Sequence, residues 1–199
     1  MNKKELKIIK EKALENHIPI IMDDTLEVIE KEMNIAKPKK ILEIGTAVGY
    51  SAICFSKFLA QDGKIDTIER DLERAKEAKK NIKEMELDEK INIYVGDAVE
   101  ILPNLNEKYD MIFIDAAKAQ YIKFFTLYEP LLSDDGVIFT DNLLFHGLVN
   151  NSERIESKNL RNLVTKIENY NEWLANNEKY DTSFFSIGDG IAVSVKKNG

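Results

Sequence analysis

Apolar residues recur along the chain at two different periods, and the alternation between them predicts the architecture. Short runs rich in β-branched and aromatic residues, "KILEI", "KIDTI", "INIYV", "YDMIFI" and "GVIFT", are strand candidates. Between them lie segments such as "RDLERAKEAKKNIKEMEL", where apolar positions return every three or four residues, as on one face of a helix. Strands and helices alternating in this way predict a parallel sheet with right-handed crossovers. Two helical segments precede the first strand, roughly residues 2–15 and 22–36, with Pro19 as a break between them and Pro38 after the second. Beyond the fifth strand, "DNLLFHGLVNNSE" reads as a loop and "RIESKNLRNLVTKIENYNEWLANN" as a long amphipathic helix. Two further β-type runs, "TSFFSIG" and "IAVSVKK", flank Gly188, Asp189 and Gly190 and read as a closing hairpin. The expected fold class is α/β and Rossmann-like: a seven-stranded, mostly parallel sheet with a C-terminal antiparallel hairpin and helices on both faces.

No repeat, low-complexity tract or Gly/Ser/Pro linker breaks this pattern, so one domain over residues 1–199 is expected, with residues 1–37 as an N-terminal helical cap. At 199 residues, 44% hydrophobic and 32% charged, such a domain buries a sizeable core without disulfide or metal staples. A single cysteine, Cys54, the lack of a bilayer-length apolar run and an N-terminus without a signal-peptide core lead us to expect a soluble, cytoplasmic protein without a membrane partner. Cys54 lies in a helical repeat with Ala52 and Phe55, a core pattern rather than a nucleophile's. A net charge of −7 disfavours broad binding to a phosphate backbone but leaves room for a local basic patch.

In an open doubly wound sheet, ligands bind outside the carboxyl ends of the strands. Those ends carry Glu43 and Gly45, Glu69, Gly96 and Asp97, Asp115, and then Asp141 and Asn142. Each acid alone can serve as a helix N-cap or turn former. Together they repel one another unless something cationic or hydroxyl-bearing sits among them.

Glu69 closes the second strand about 20 residues past the glycine turn, where an acid accepts hydrogen bonds from a ribose diol. The turn itself, "ILEIGTAVGYS", spaces Gly45 and Gly49 as G-x-x-x-G behind Glu43, and so lacks the third glycine of a pyrophosphate cradle. An acidic, backbone-lined slot suits a cationic ligand with an amino group and no phosphate, and S-adenosylmethionine has these properties; an NAD dehydrogenase is disfavoured. Asp115, Asp141 and Asn142 offer hard oxygens of the kind Mg²⁺ takes, and no His or Cys accompanies them as zinc would favour. Lys118 follows in "IDAAK", where a metal-site lysine can act as a base.

The motifs "LEIGTAVGYSA", "TIERD", "GDA", "FIDAAK" and "TDN" resemble the cation-dependent O-methyltransferases, the catechol and caffeoyl-CoA type with the class I methyltransferase fold. "PKKILEIGTAVGYSAI", "FFTLYEPLLSDDGVIFTDNLLFHGLV" and "IENYNEWL" look like the bacterial branch that methylates 5-hydroxyuridine at the tRNA wobble position. The resemblance implies that Glu43, Gly45, Ser51, Glu69, Asp97, Ala98 and Asp115 line the S-adenosylmethionine pocket, with Ile21 closing over it. It places the Mg²⁺ ligands on Asp115, Asp141 and Asn142, the catalytic pair on Lys118 and Asp115, and implies a homodimer. Ala116 and Ala117 stand where animal catechol enzymes carry bulkier residues, which implies a roomier floor.

The acceptor is expected to be a tRNA anticodon loop, with Lys118, Lys123, Arg154, Lys158, Arg161 and Lys166 as local cations and Tyr50, Tyr121 or Phe145 available for stacking. A small catechol-like molecule with neighbouring oxygens is the alternative acceptor, and a non-catalytic nucleotide-binding module is the rival class. His17 and His146 lack metal-ligand partners, although His146 lies in the loop after Asn142. Trp173 is expected in the core or at a dimer seam.

Overall fold

The computed structural model describes residues 2–116, 118–151, 153 and 155–197. Two helices come first, α1 (Lys3–Glu15) and α2 (Asp23–Ala36). The alternating core follows: β1 (Lys40–Ile44), α3 (Tyr50–Phe55), β2 (Lys64–Glu69), α4 (Leu72–Glu84), β3 (Ile91–Val95), α5 (Ala98–Ile101), β4 (Tyr109–Ile114), α6 (Tyr121–Tyr128) and β5 (Leu132–Thr140). Then come α7 (Lys158–Ala175), β6 (Tyr180–Phe185) and β7 (Ile191–Lys196).

The seven strands form one sheet in the order β3-β2-β1-β4-β5-β7-β6, with β7 antiparallel to both of its neighbours and the other pairs parallel. Both faces of the parallel strands are covered, so alternate residues enter different cores. Ile41, Met111, Phe113 and Phe139 pack under α1, α2 and α3, whereas Leu42, Ile44, Ile112, Ile114 and Ile138 pack under α6 and α7. Trp173 resolves toward the core: its ring meets Phe125 edge-on at 5.2 Å and stacks with Tyr170 at 6.0 Å.

Two boundaries differ from the sequence reading. β5 begins at Leu132, ahead of "GVIFT", because a register irregularity against β4 lets the polar stretch Ser133–Asp135 continue the strand where periodicity hides it. α7 begins at Lys158, not Arg154, because the Ser157 hydroxyl accepts from the Leu160 N–H and caps the helix there. Arg154 and Ala117 themselves lie outside the described residues. No helix among the described residues is long and apolar enough to cross a membrane.

The strand order reverses between β1 and β4, which opens a crevice at their carboxyl ends. Gly45 makes that crevice possible. Its φ is +111°, and a Cβ there would lie 2.1 Å from the Asp115 carbonyl oxygen. Gly45→Ala is therefore expected to destabilise the fold by at least about 2 kcal/mol, read by urea denaturation, since both the backbone conformation and the strand approach are lost.

Candidate active site

A cavity of about 270 Å³ occupies the switch point. Its wall includes Gly45, Glu69, Asp97, Ala98, Asp115, Lys118 and Asn142, which the sequence had already singled out. It also includes Pro19, Ala47, Arg70 and Arg74, which it had not. A more open groove of about 700 Å³ beside Trp173 and Lys179 lies away from these strand ends.

Glu69 is held at one end by two backbone donors: the Ala47 N–H at 2.8 Å on Oε2 and the Asp71 N–H at 2.9 Å on Oε1. Each oxygen keeps a second lone pair for a diol. Ala47 reaches Glu69 because it adopts a left-handed φ of 47° within the glycine turn. Asp97 caps α5 through the Val99 N–H and at the same time faces the cavity, so its capping role and its place in the wall coexist.

Glu43 does not line the cavity. It is fully buried behind it, accepting from the Ser51 hydroxyl at 2.5 Å and the Thr67 hydroxyl at 2.5 Å, while Thr67 and Thr46 share a 2.6 Å bond. Burial drives its carboxyl up to about 7, the two hydroxyls only partly opposing this, with Asp115 and Glu69 adding repulsion. Ser51 is likewise spent on Glu43, and Ile21 is buried in the core while Pro19, two residues earlier, reaches the cavity. Thr67 went unnoticed in the sequence, yet pairing β1 with β2 places it directly opposite Glu43.

The second cluster stands at the ends of β4 and β5. Asp115 and Asp141 continue the ladder, their N–H groups bonding Ile44 and Ile114 carbonyls at 3.0 and 3.1 Å. Asp141 is buried and its Oδ2 has no hydrogen-bond partner among the described residues. Asn142, left-handed at φ 62°, turns its side chain into the cavity, where Lys118 Nζ donates to its Oδ1. Burial raises both aspartates, and Lys118 opposes the rise in each; Asp189 adds repulsion to both, Asp115 adds to the rise of Asp141, and the Asn142 N–H bond partly offsets it there.

Asp189 is another residue whose part the sequence hid. Read as a turn residue between Gly188 and Gly190, it is buried and accepts the His146 N–H on Oδ1, while Oδ2 has no hydrogen bond among the described residues and lies 3.7 Å from His146 Nδ1. Its carbonyl and that of Gly190 take the Leu144 and Leu143 N–H groups at 2.7 and 2.9 Å, tying the loop after Asn142 to the hairpin. Phe145, His146 and Gly147 follow with three successive positive φ values.

Among the aromatics, Tyr50 and Tyr121 are not available for stacking. Both are buried, and the Tyr121 hydroxyl donates to the Asp141 carbonyl at 2.9 Å. Phe145 remains, half-buried, with the Lys118 ammonium 5.9 Å from its ring centroid. Arg161 turns back on the Ile155 carbonyl, whereas Lys123, Lys158 and Lys166 are exposed. Cys54 is buried, and burial pushes its thiol up to about 12, which fits a core residue.

Among the described residues no three His, Cys, Asp or Glu side chains converge as a metal group. Asp115 and Asn142 line the cavity, and Asp141 stands beside Asn142 at the end of β5. The unpartnered Asp141 Oδ2 and the all-oxygen donor set fit a hard cation such as Mg²⁺.

A seven-stranded sheet ending in an antiparallel hairpin, with its crevice at the β1–β4 switch point, defines the class I methyltransferase fold. The O-methyltransferase family model matches residues 3–197, so the chain belongs to that family, whose members use S-adenosylmethionine as methyl donor. It is 32% identical to the catechol O-methyltransferase of Niastella koreensis over 172 residues, covering 82% of this chain and 76% of that one. It is 30% identical to the flavonoid 3',5'-methyltransferase of Vitis vinifera over 201 residues, covering 95% and 85%. A crystal structure from Staphylococcus aureus, of a protein provisionally named caffeoyl-CoA O-methyltransferase, superposes with a TM-score of 0.92 at 42% identity over 96% of this chain and 92% of that one.

The buried Glu43 makes a signed prediction. Its carboxyl titrates higher in the fold than in the unfolded chain, so its contribution is intact below the ordinary glutamate range and is lost as pH rises through about 7. Glu43→Gln should gain on wild type by on the order of 3 kcal/mol between pH 5 and pH 8. Denaturant midpoints of the two proteins at both pH values check this.

Proposed function

We propose that this O-methyltransferase moves the methyl group of S-adenosylmethionine, with Mg²⁺ bound, onto the 5-hydroxyl of 5-hydroxyuridine at the tRNA wobble position, giving 5-methoxyuridine. The observation that carries the chemistry is that Asp115, Asn142 and Lys118 line one cavity at the strand ends, while Asp141, next to Asn142, keeps an Oδ2 with no hydrogen-bond partner among the described residues. Glu69 takes the ribose diol, Asp97 and Ala98 lie at the far wall, and Gly45 lets the backbone approach the donor. Glu43 acts from behind, fixing Ser51 and the turn.

Asp115, Asp141 and Asn142 would hold the cation. Its contribution is to lower the pKa of an acceptor hydroxyl and orient it beside a second oxygen. 5-Hydroxyuridine, whose hydroxyl adjoins the C4 carbonyl, offers that oxygen pair. With the acceptor hydroxyl's proton released to solvent, the Lys118 ammonium, which stands between Asn142 and the Phe145 ring, would face the oxyanion and stabilise it. S-adenosylmethionine would supply the methyl group, and Glu69, Asp97 and Gly45 would hold it so that little freedom is left to lose on reaction. Phe145, half-buried beside Lys118, would be the aromatic to stack on a splayed base.

A small catechol-like acceptor is the second reading, supported by the similarity to catechol and flavonoid methyltransferases. Incubation of the protein with labelled S-adenosylmethionine and Mg²⁺, in parallel with tRNA bearing 5-hydroxyuridine and with a catechol, separates the two. Label in tRNA is the expected result; label in the catechol alone would transfer the proposal to the small acceptor. Asp141→Ala is expected to slow transfer by at least about a hundredfold. A rate untouched by chelator would defeat the metal assignment.

A further inference from the structure

The acidic cluster already contains a cation of its own. Lys118 Nζ donates to Asn142 Oδ1, the very oxygen that the metal reading assigns as a ligand, and its charge acts on Asp115 and Asp141. The ammonium is half-buried, at 5.9 Å from the Phe145 centroid, and therefore poorly compensated by water. We propose that Lys118 is a built-in occupant of the cation site: it holds Asn142 Oδ1 while no divalent ion is bound, and it swings toward the acceptor only when that oxygen is taken. The inference rests on the reading of Asp115, Asp141 and Asn142 as metal ligands.

The physical argument is one of exclusion. An amide oxygen has two lone pairs, but an ammonium and a divalent ion sharing it would be like charges a few ångströms apart in a partly buried site. Lys118 must therefore release the oxygen. The anchor of Asn142 does not depend on Lys118, because its left-handed backbone is fixed by the Asp141 Oδ1 to Asn142 N–H bond at 2.7 Å. The displaced ammonium keeps a landing place over the Phe145 ring. Binding of the ion and arrival of Lys118 at the acceptor are then one event, so Lys118 is a positioning partner of the metal as well as a reacting group.

The test is Mn²⁺ binding by electron paramagnetic resonance, at one pH and without S-adenosylmethionine or acceptor, for wild type, Lys118→Met, Lys118→Arg and Asp141→Asn. Removing the competing charge-assisted bond should tighten Mn²⁺ binding about tenfold in Lys118→Met, and Lys118→Arg, which keeps the charge, should stay near wild type. Equal or weaker binding in Lys118→Met, with binding lost in Asp141→Asn, would overturn this proposal and leave the metal site standing. Equal tightening in Lys118→Arg would overturn it too, because charge would then not be the competitor. Absence of saturable binding in both wild type and Lys118→Met would refute the proposal and the metal reading together.

Discussion

The structure is organised around repulsion among buried acids at the carboxyl edge of the sheet. Glu43, Asp141 and Asp189 are all buried, and Asp115 joins them at the cavity wall. A carboxylate out of water is costly unless it is paired or solvated by fixed donors. Glu43 is solvated by Ser51 and Thr67, and Glu69 by two backbone N–H groups. Asp141 and Asp189 each leave one oxygen with no hydrogen-bond partner among the described residues, although the His146 ring lies 3.7 Å from that of Asp189, and the Asp141 deficit is what the proposed cation would relieve.

The rest of the fold serves to hold this charge in place. Gly45 lets β1 approach the backbone of Asp115. The Tyr121 hydroxyl pins the Asp141 carbonyl, and the hairpin carries Asp189 inward while binding the loop from Leu143 to His146. Stability and the proposed function pull in opposite directions at such an edge, since acids gathered to attract cations also repel one another.

Much of this was legible in the sequence because strand ends and glycine turns leave local signatures. The five strand runs and their terminal acids could be read directly, since a buried parallel strand is an apolar run and an acid that stops it stands out. What could not be read depended on three-dimensional pairing. Thr67 is an ordinary strand threonine until β1–β2 register sets it opposite Glu43. Asp189 lies in a Gly-Asp-Gly stretch whose local meaning is a turn, and only sheet closure brings it beside Asp115 and Asp141. Ser51 and Ile21, which only the family resemblance places at the cofactor, carry no local signal of it: the Ser51 hydroxyl bonds Glu43, and Ile21 is buried in the core.

The central claim is that Asp141 is held at a cost that a divalent ion relieves. The most direct measurement is the thermal midpoint of wild type and Asp141→Asn at pH 8, each with and without Mg²⁺. The substitution keeps an Oδ1 acceptor for the Asn142 N–H. The account predicts that the variant melts higher than wild type without Mg²⁺ and gains nothing when Mg²⁺ is added, while wild type rises. A variant that melts lower than wild type without the ion, or that keeps the same Mg²⁺-dependent rise, would contradict it.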